Sequence, residues 1–164
     1  MTAVQVTFLL ATLLCSLVAG LLFTFAIVVM PGIAELDDSS FLRAFQAIDR
    51  VIQNHQPVFL FVWIGSALAV IAAAVMSVRE LGGTDRLLAI GAALVYIFGV
   101  QLPTATMNVP LNNKVQKLDI GTMSEEAQER ARMEFEPRWN RWNAIRTACS
   151  IFASTLLLLL MLRL

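Results

Sequence analysis

The chain carries one histidine, His55, and it closes a polar cluster that contains Gln46, Asp49, Arg50 and Asn54. Two further clusters hold the other groups with chemical use: Asn108, Asn112 and Asn113, and then Asn140, Asn143 and Arg146, with Trp139 and Trp142 beside them. These side chains suit one kind of work. An imidazole or carboxylate moves a proton, while a guanidinium and amides donate to a developing anion. Other chemistries lack their parts. Axial ligation of haem by two histidines is impossible with a single His. There is no paired Glu-x-x-His or other His/Cys/Glu spacing of a metal site, no glycine-rich phosphate loop and no nucleophile elbow. The motifs therefore predict neither a metal nor a resident cofactor, and any chemistry uses proton transfer and charge stabilisation around His55, Asp49 and Arg146, or a cofactor supplied from outside.

The elements that must position these groups are apolar. Roughly residues 4–30, 57–78, 87–102 and 144–162 form four stretches too apolar and too poor in charge for water. About 20 such residues cross the hydrocarbon of a bilayer, where a helix satisfies its own backbone. The composition agrees, at 58% hydrophobic and 15% charged residues with a mean hydropathy of +0.73. We expect an all-α, multi-pass four-helix membrane bundle occupying 1–164 as one domain. The first stretch reads as a retained span rather than a leader, because Met1 to Val6 holds no Lys or Arg and the run ends at Pro31-Gly32. Cys15 and Cys149 both fall inside spans and read as free, apolar thiols.

Between the spans, Pro31-Gly32 is expected to end the first helix. Asp37 to Ser40 then supply N-cap chemistry for a short amphipathic helix over about 41–53. Its apolar face is Phe41, Phe45, Ile48 and Ile52; Arg43, Gln46, Asp49, Arg50 and Gln53 are placed on the polar face. That helix should lie at the membrane surface or fold over the bundle mouth. Pro57 opens the second span. Gly65, Ala69 and Ala73, with Ala89, Ala93, Gly91 and Gly99 on the third span, allow close helix approach. The polar run after Leu102 marks a loop. Thr122-x-x-Glu125 reads as a capping box for a charged helix to about Glu136, and Pro137 as the start of the last helix. Trp139 and Trp142 fit an interfacial aromatic belt.

Both long connections fall on one side, which carries nine of the twelve Lys and Arg. The positive-inside rule places that side in the cytoplasm and both termini outside, in a bacterial cytoplasmic membrane. A net charge of zero points away from nucleic acid. The expected partners are membrane lipid, a hydrophobic small molecule, and either further copies or a larger membrane complex.

All three polar clusters converge on the decorated side. Arg146 lies inside its span, where a charge is costly unless it pairs or faces a wet cavity, and Asp49 is its expected partner. The plainer alternative is that these Asn and Arg side chains cap helices and snorkel to headgroups.

The order Pro31-Gly, Phe41-x-x-x-Phe-Gln-x-Ile-Asp49, Asn108-Val-Pro-Leu-Asn-Asn113 and Trp139-x-x-Trp-Asn-x-x-Arg146 resembles the anthrone oxygenase family of small four-span membrane proteins. The resemblance covers essentially the whole chain. It implies oxidation of an anthrone-like aromatic or phenolic substrate with molecular oxygen. An anthrone is a weak carbon acid, so such an activity needs a base and a stabiliser for the enolate oxygen. His55 is then the expected base, oriented by Asp49. Arg146 with Asn108 or Asn112 stabilises the anion, and Gln46, Asn143 and Trp142 complete the substrate site. A flat, oily substrate would enter from the membrane between Gly- and Ala-rich helices. The competing reading is a non-catalytic membrane subunit of a larger complex.

Overall fold

Thr2 opens the first helix by reciprocal capping. Its N–H donates to Gln5 Oε1 at 3.0 Å, and the Gln5 N–H donates back to Thr2 Oγ1 at 3.2 Å. The computed structural model describes residues 2–164, and no strand occurs among them. Four helices are long and apolar enough to cross a membrane: α1 (Ala3–Ala34), α3 (Pro57–Glu80), α4 (Gly83–Gln116) and α5 (Glu125–Met161). The short α2 (Asp38–Gln53) lies between the first two. α1 packs on α3 and α5, and α4 packs on α5 and α3, closing a four-helix ring. Leu9, Leu13, Leu17, Phe61, Leu68, Leu94, Phe98 and Leu158 remain exposed around its outside. Such an apolar belt has no place in water and fits lipid. This is a multi-pass membrane protein.

The prolines behave differently from the expectation. Pro31 does not end α1, and Pro103 and Pro110 do not break α4 into a loop. Each is preceded by a π-helical stretch that stops two residues short of it: Phe25–Val29, Ile97–Gln101 and Thr104–Asn108. A proline ring crowds the carbonyl four residues back and offers it no N–H. Widening the preceding turn to i→i+5 moves that carbonyl aside, so the helix bends and continues. Pro137 is likewise interior to α5, whose start is capped by Ser124 accepting from the Ala127 N–H at 3.3 Å. The Thr122–Glu125 capping box does not form; Thr122 lies in a 3-10 turn and donates to the Asp119 carbonyl. The exposed Met133 carries the carbonyl that Pro137 leaves free.

α2 folds over the bundle mouth. Phe41 and Phe45 are buried against Phe135 and Trp139 of α5, with Phe45 and Phe135 centroids 4.5 Å apart. Met30, Leu42, Leu111, Val115 and Ile120 complete this second, smaller core. Arg132 ties the corner. It donates to the Ala34 carbonyl at 2.7 Å and the Leu36 carbonyl at 2.8 Å, and bridges Asp38 and Glu136. The cap is thus anchored to α5 at both its apolar and its polar contacts.

The small-residue rows are consumed within the chain. A Cβ on Gly65 would meet Leu14 at 3.4 Å, and Ala73 is buried. At Gly99 the approach is closer: a Cβ would lie 2.6 Å from Cys149 Sγ and 2.7 Å from Cys149 Cβ. Gly99→Ala should therefore destabilise the α4–α5 contact by about 1–3 kcal/mol, the usual cost of overpacking. Thermal unfolding in detergent checks this. Adding Cys149→Ala, which removes the nearer of the two clashing atoms, should restore part of the loss; no loss in the single variant would contradict the packing.

Candidate functional site

Under α2, where the two cores meet, a cavity of about 240 Å³ opens between all five helices. That is just under the roughly 300 Å³ lower end of small-molecule sites. α1 and α3 line it with Leu21, Leu22, Phe25, Phe59 and Trp63. Its polar groups come from α2 (Asp49), α4 (Thr104, Asn108, Asn112) and α5 (Trp139, Asn143, Arg146). On α4 the polar residues stand four apart, so the uninterrupted helix presents them as one stripe. A loop after Leu102 would have scattered them.

Arg146 is only 4% exposed, which excludes a headgroup-snorkelling role. Its Nη1 donates to Thr104 Oγ1 and its Nη2 to Asn143 Oδ1, both at 2.9 Å. Asn143 is itself fixed, because its Nδ2 donates to the Leu22 carbonyl at 3.1 Å. The guanidinium carbon sits 5.8 Å from the Trp139 ring centroid, within cation–π reach. No carboxylate pairs with it. Among the described residues the salt bridges join Arg132 to Asp38 and Glu136, and Arg163 to Asp85. The expected Asp49–Arg146 pair is thus not formed. The Nε–H of Arg146 is buried without an acceptor, and Asn108 Oδ1 is buried without a donor.

Asp49 is not on the polar face of α2 but buried, at 3% exposure. Three side-chain amides reach it. Asn112 Nδ2 donates to Oδ1 at 2.7 Å, while Gln53 Nε2 and Gln116 Nε2 donate to Oδ2 at 2.8 and 2.9 Å. A carboxylate has about four lone-pair sites, so Oδ1 keeps one free. Asn112 links this end to the next, since its Oδ1 accepts from Trp139 Nε1 at 2.8 Å. A buried anion and a buried cation thus face one apolar cavity, each held by neutral groups rather than by the other.

Of the side chains singled out from the sequence, the structure brings Asp49, Asn108, Asn112, Asn143 and Arg146 together around the cavity. It does not bring His55, Gln46 or Trp142 there. His55 is exposed in the turn after α2, with φ +60° and its N–H on the Ile52 carbonyl. α2 stops at Gln53, so nearness in sequence to Asp49 does not put His55 on the same face. Gln46 clamps the end of α4 by donating to the Val115 and Leu118 carbonyls. Trp142 is half-buried and off the cavity wall. The reverse error concerns Trp139, read as interfacial but buried at 4% in the site. Its spacing to Asn143 and Arg146 (i, i+4, i+7) was the available signal.

The family described as anthrone oxygenase matches residues 49–156. The chain belongs to the anthrone oxygenase family. That match begins at Asp49 and contains every polar residue of the cavity wall, while leaving out α1. No curated protein and no solved structure matches the chain. Within this member of the anthrone oxygenase family, His55→Gln should leave turnover within about twofold of the parent protein. Loss of a general base typically removes 10²–10⁴-fold. Oxygen uptake with an anthrone distinguishes the two outcomes, and a large loss would return His55 to the site.

Proposed function

We propose that this cavity oxidises a small hydrophobic aromatic carbon acid of the anthrone type, bearing a phenolic hydroxyl, with molecular oxygen. One observation carries the reading: a largely apolar cavity is lined by Arg146 and Asn108, and each keeps one buried polar atom without a partner, the Nε–H donor of Arg146 and the Oδ1 acceptor of Asn108. Unpaired polar atoms of this kind are costly without a partner. An enolate oxygen answers the first and a hydroxyl the second.

In this reading Asp49 takes a proton from the methylene carbon through the free lone pair of Oδ1. Negative charge moves to the carbonyl oxygen, where the guanidinium of Arg146 holds it. Such a pre-organised donor acts most strongly where water is excluded. The enolate carbon then bonds to dioxygen and gives a peroxide. Loss of the remaining C–H proton together with hydroxide breaks the O–O bond and leaves a ketone and water. One dioxygen is consumed per anthrone, one oxygen atom entering the product and the other leaving as water. The electrons come from the methylene carbon. The proton taken up by Asp49 returns to the outer peroxide oxygen, which leaves as hydroxide and becomes water. The excess of Lys and Arg at the capped end supports reading that end as cytoplasmic.

The test is oxygen uptake by the purified protein with an anthrone, with product identified as the anthraquinone. The reading requires uptake above the uncatalysed rate, one dioxygen per product formed. Co-purification with a fixed stoichiometric partner, without uptake, would instead make the chain a subunit.

A further inference from the structure

The cavity is bounded on one side by α3 and α4. α3 packs along α1 and along the first part of α4, but the π-helical stretches Ile97–Gln101 and Thr104–Asn108 make their main interhelical contact with α5 rather than with α3. α3 and α4 therefore part company toward the capped end. Val109 of α4 lines the cavity and is yet 42% exposed. On α3, Phe59 and Trp63 also line the cavity and are half-buried. Their rings stack with centroids 5.6 Å apart and planes 18° from parallel. The surface flanking the gap is apolar: Val58, Phe61 and Leu102 are all exposed and lie on helices that cross the membrane.

We propose that this gap is a lateral window to the bilayer, and that Phe59 and Trp63 form its selecting wall for flat, neutral polycyclic aromatics. The inference rests on the oxygenase reading for what happens inside, but the window itself is a matter of binding. A neutral polycycle concentrates in the hydrocarbon phase. Two nearly parallel aromatic rings offer it a stacking partner on the way in. The Gly- and Ala-rich faces are closed by helix packing, so the route runs beside the π-helical part of α4 instead.

The experiment uses the full chain in phospholipid vesicles, with anthrone for turnover and anthraquinone for binding. Trp63→Leu and Phe59→Leu keep apolar bulk against lipid but remove a ring. Each should raise KM for anthrone about tenfold, as expected for a lost stacking partner, with kcat within about twofold. Brominated lipid should quench a component of the tryptophan fluorescence that Trp63→Leu abolishes. Unchanged KM in both variants, with the parent protein turning over, overturns the window and leaves the oxygenase reading standing. No turnover by the parent, but anthraquinone binding weakened about tenfold by the leucine variants, keeps the window and overturns the oxygenase. If neither turnover nor ring-dependent binding is seen, both fall. Absence of lipid quenching at Trp63 overturns the window alone.

Discussion

Arg146→Lys should fold like the parent protein and lose about 10²–10³-fold in turnover, the usual loss when one pre-organised oxyanion donor is removed. Lysine keeps the charge but not the planar fork. Two arms of that fork are committed, Nη1 to Thr104 and Nη2 to Asn143, and the Nε–H is the donor left over. An ammonium that satisfies the same two acceptors has no fixed third donor in that direction. Arg146→Met gives the complementary result. An unpaired buried charge costs desolvation without a Coulombic return, and apolar replacement of buried ions is often neutral or stabilising. The methionine variant should therefore be inactive with a thermal midpoint at or above that of the parent. Near-parental turnover with lysine, or collapse of folding with methionine, would make Arg146 a packing residue.

Asp49→Asn is the second large effect, with a loss of about 10²–10⁴-fold for removal of a general base. The shape is preserved, but the chemistry of the pocket reverses. Asn112, Gln53 and Gln116 all point donors at position 49, and Gln116 also donates to the Gln46 carbonyl, which resists a flip of its amide. Asparagine returns one acceptor oxygen and one amino group. At least one of the three donors loses its acceptor, at a cost of about 1–3 kcal/mol. A modest drop in thermal stability should accompany the activity loss. Double substitution with Arg146→Lys separates roles: residues acting on one intermediate are strongly non-additive, so the double variant should fall little below the worse single one. Losses that multiply fully would point to independent defects.

The spans, the amphipathic cap and five of the polar cavity residues were legible in the sequence, because hydropathy and helical spacing act locally. The errors share one cause. Pro31 reads as a helix end, Pro103 and Pro110 as part of the polar segment after the third span and Pro137 as a helix start, whereas the first three follow π-helical turns through which the helices continue and α5 runs through the fourth. No residue type announces a π turn; only the packed bundle decides that a bend is better than a break. Once α4 is continuous, Thr104, Asn108, Asn112 and Gln116 form a stripe, and Asp49 turns inward to meet it. His55 was the opposite case. Its chemistry drew attention, but its place in the turn beyond α2 removes it from the cavity. The Asp49–Arg146 pairing failed for a related reason, since neutral amides and a threonine hold each charge in place and leave the space between them open.

The most direct measurement is solvent deuterium exchange into the methylene group of an anthrone, followed without oxygen in the presence of the purified protein. Removing oxygen stops the reaction at the enolate, so exchange reads only proton abstraction and charge stabilisation in the cavity. The parent protein should accelerate exchange well above buffer, with the acceleration lost in Asp49→Asn and Arg146→Lys and kept in His55→Gln. Exchange no faster than in buffer, under conditions where the protein consumes oxygen with the same compound, would contradict an enolate formed between Asp49 and Arg146.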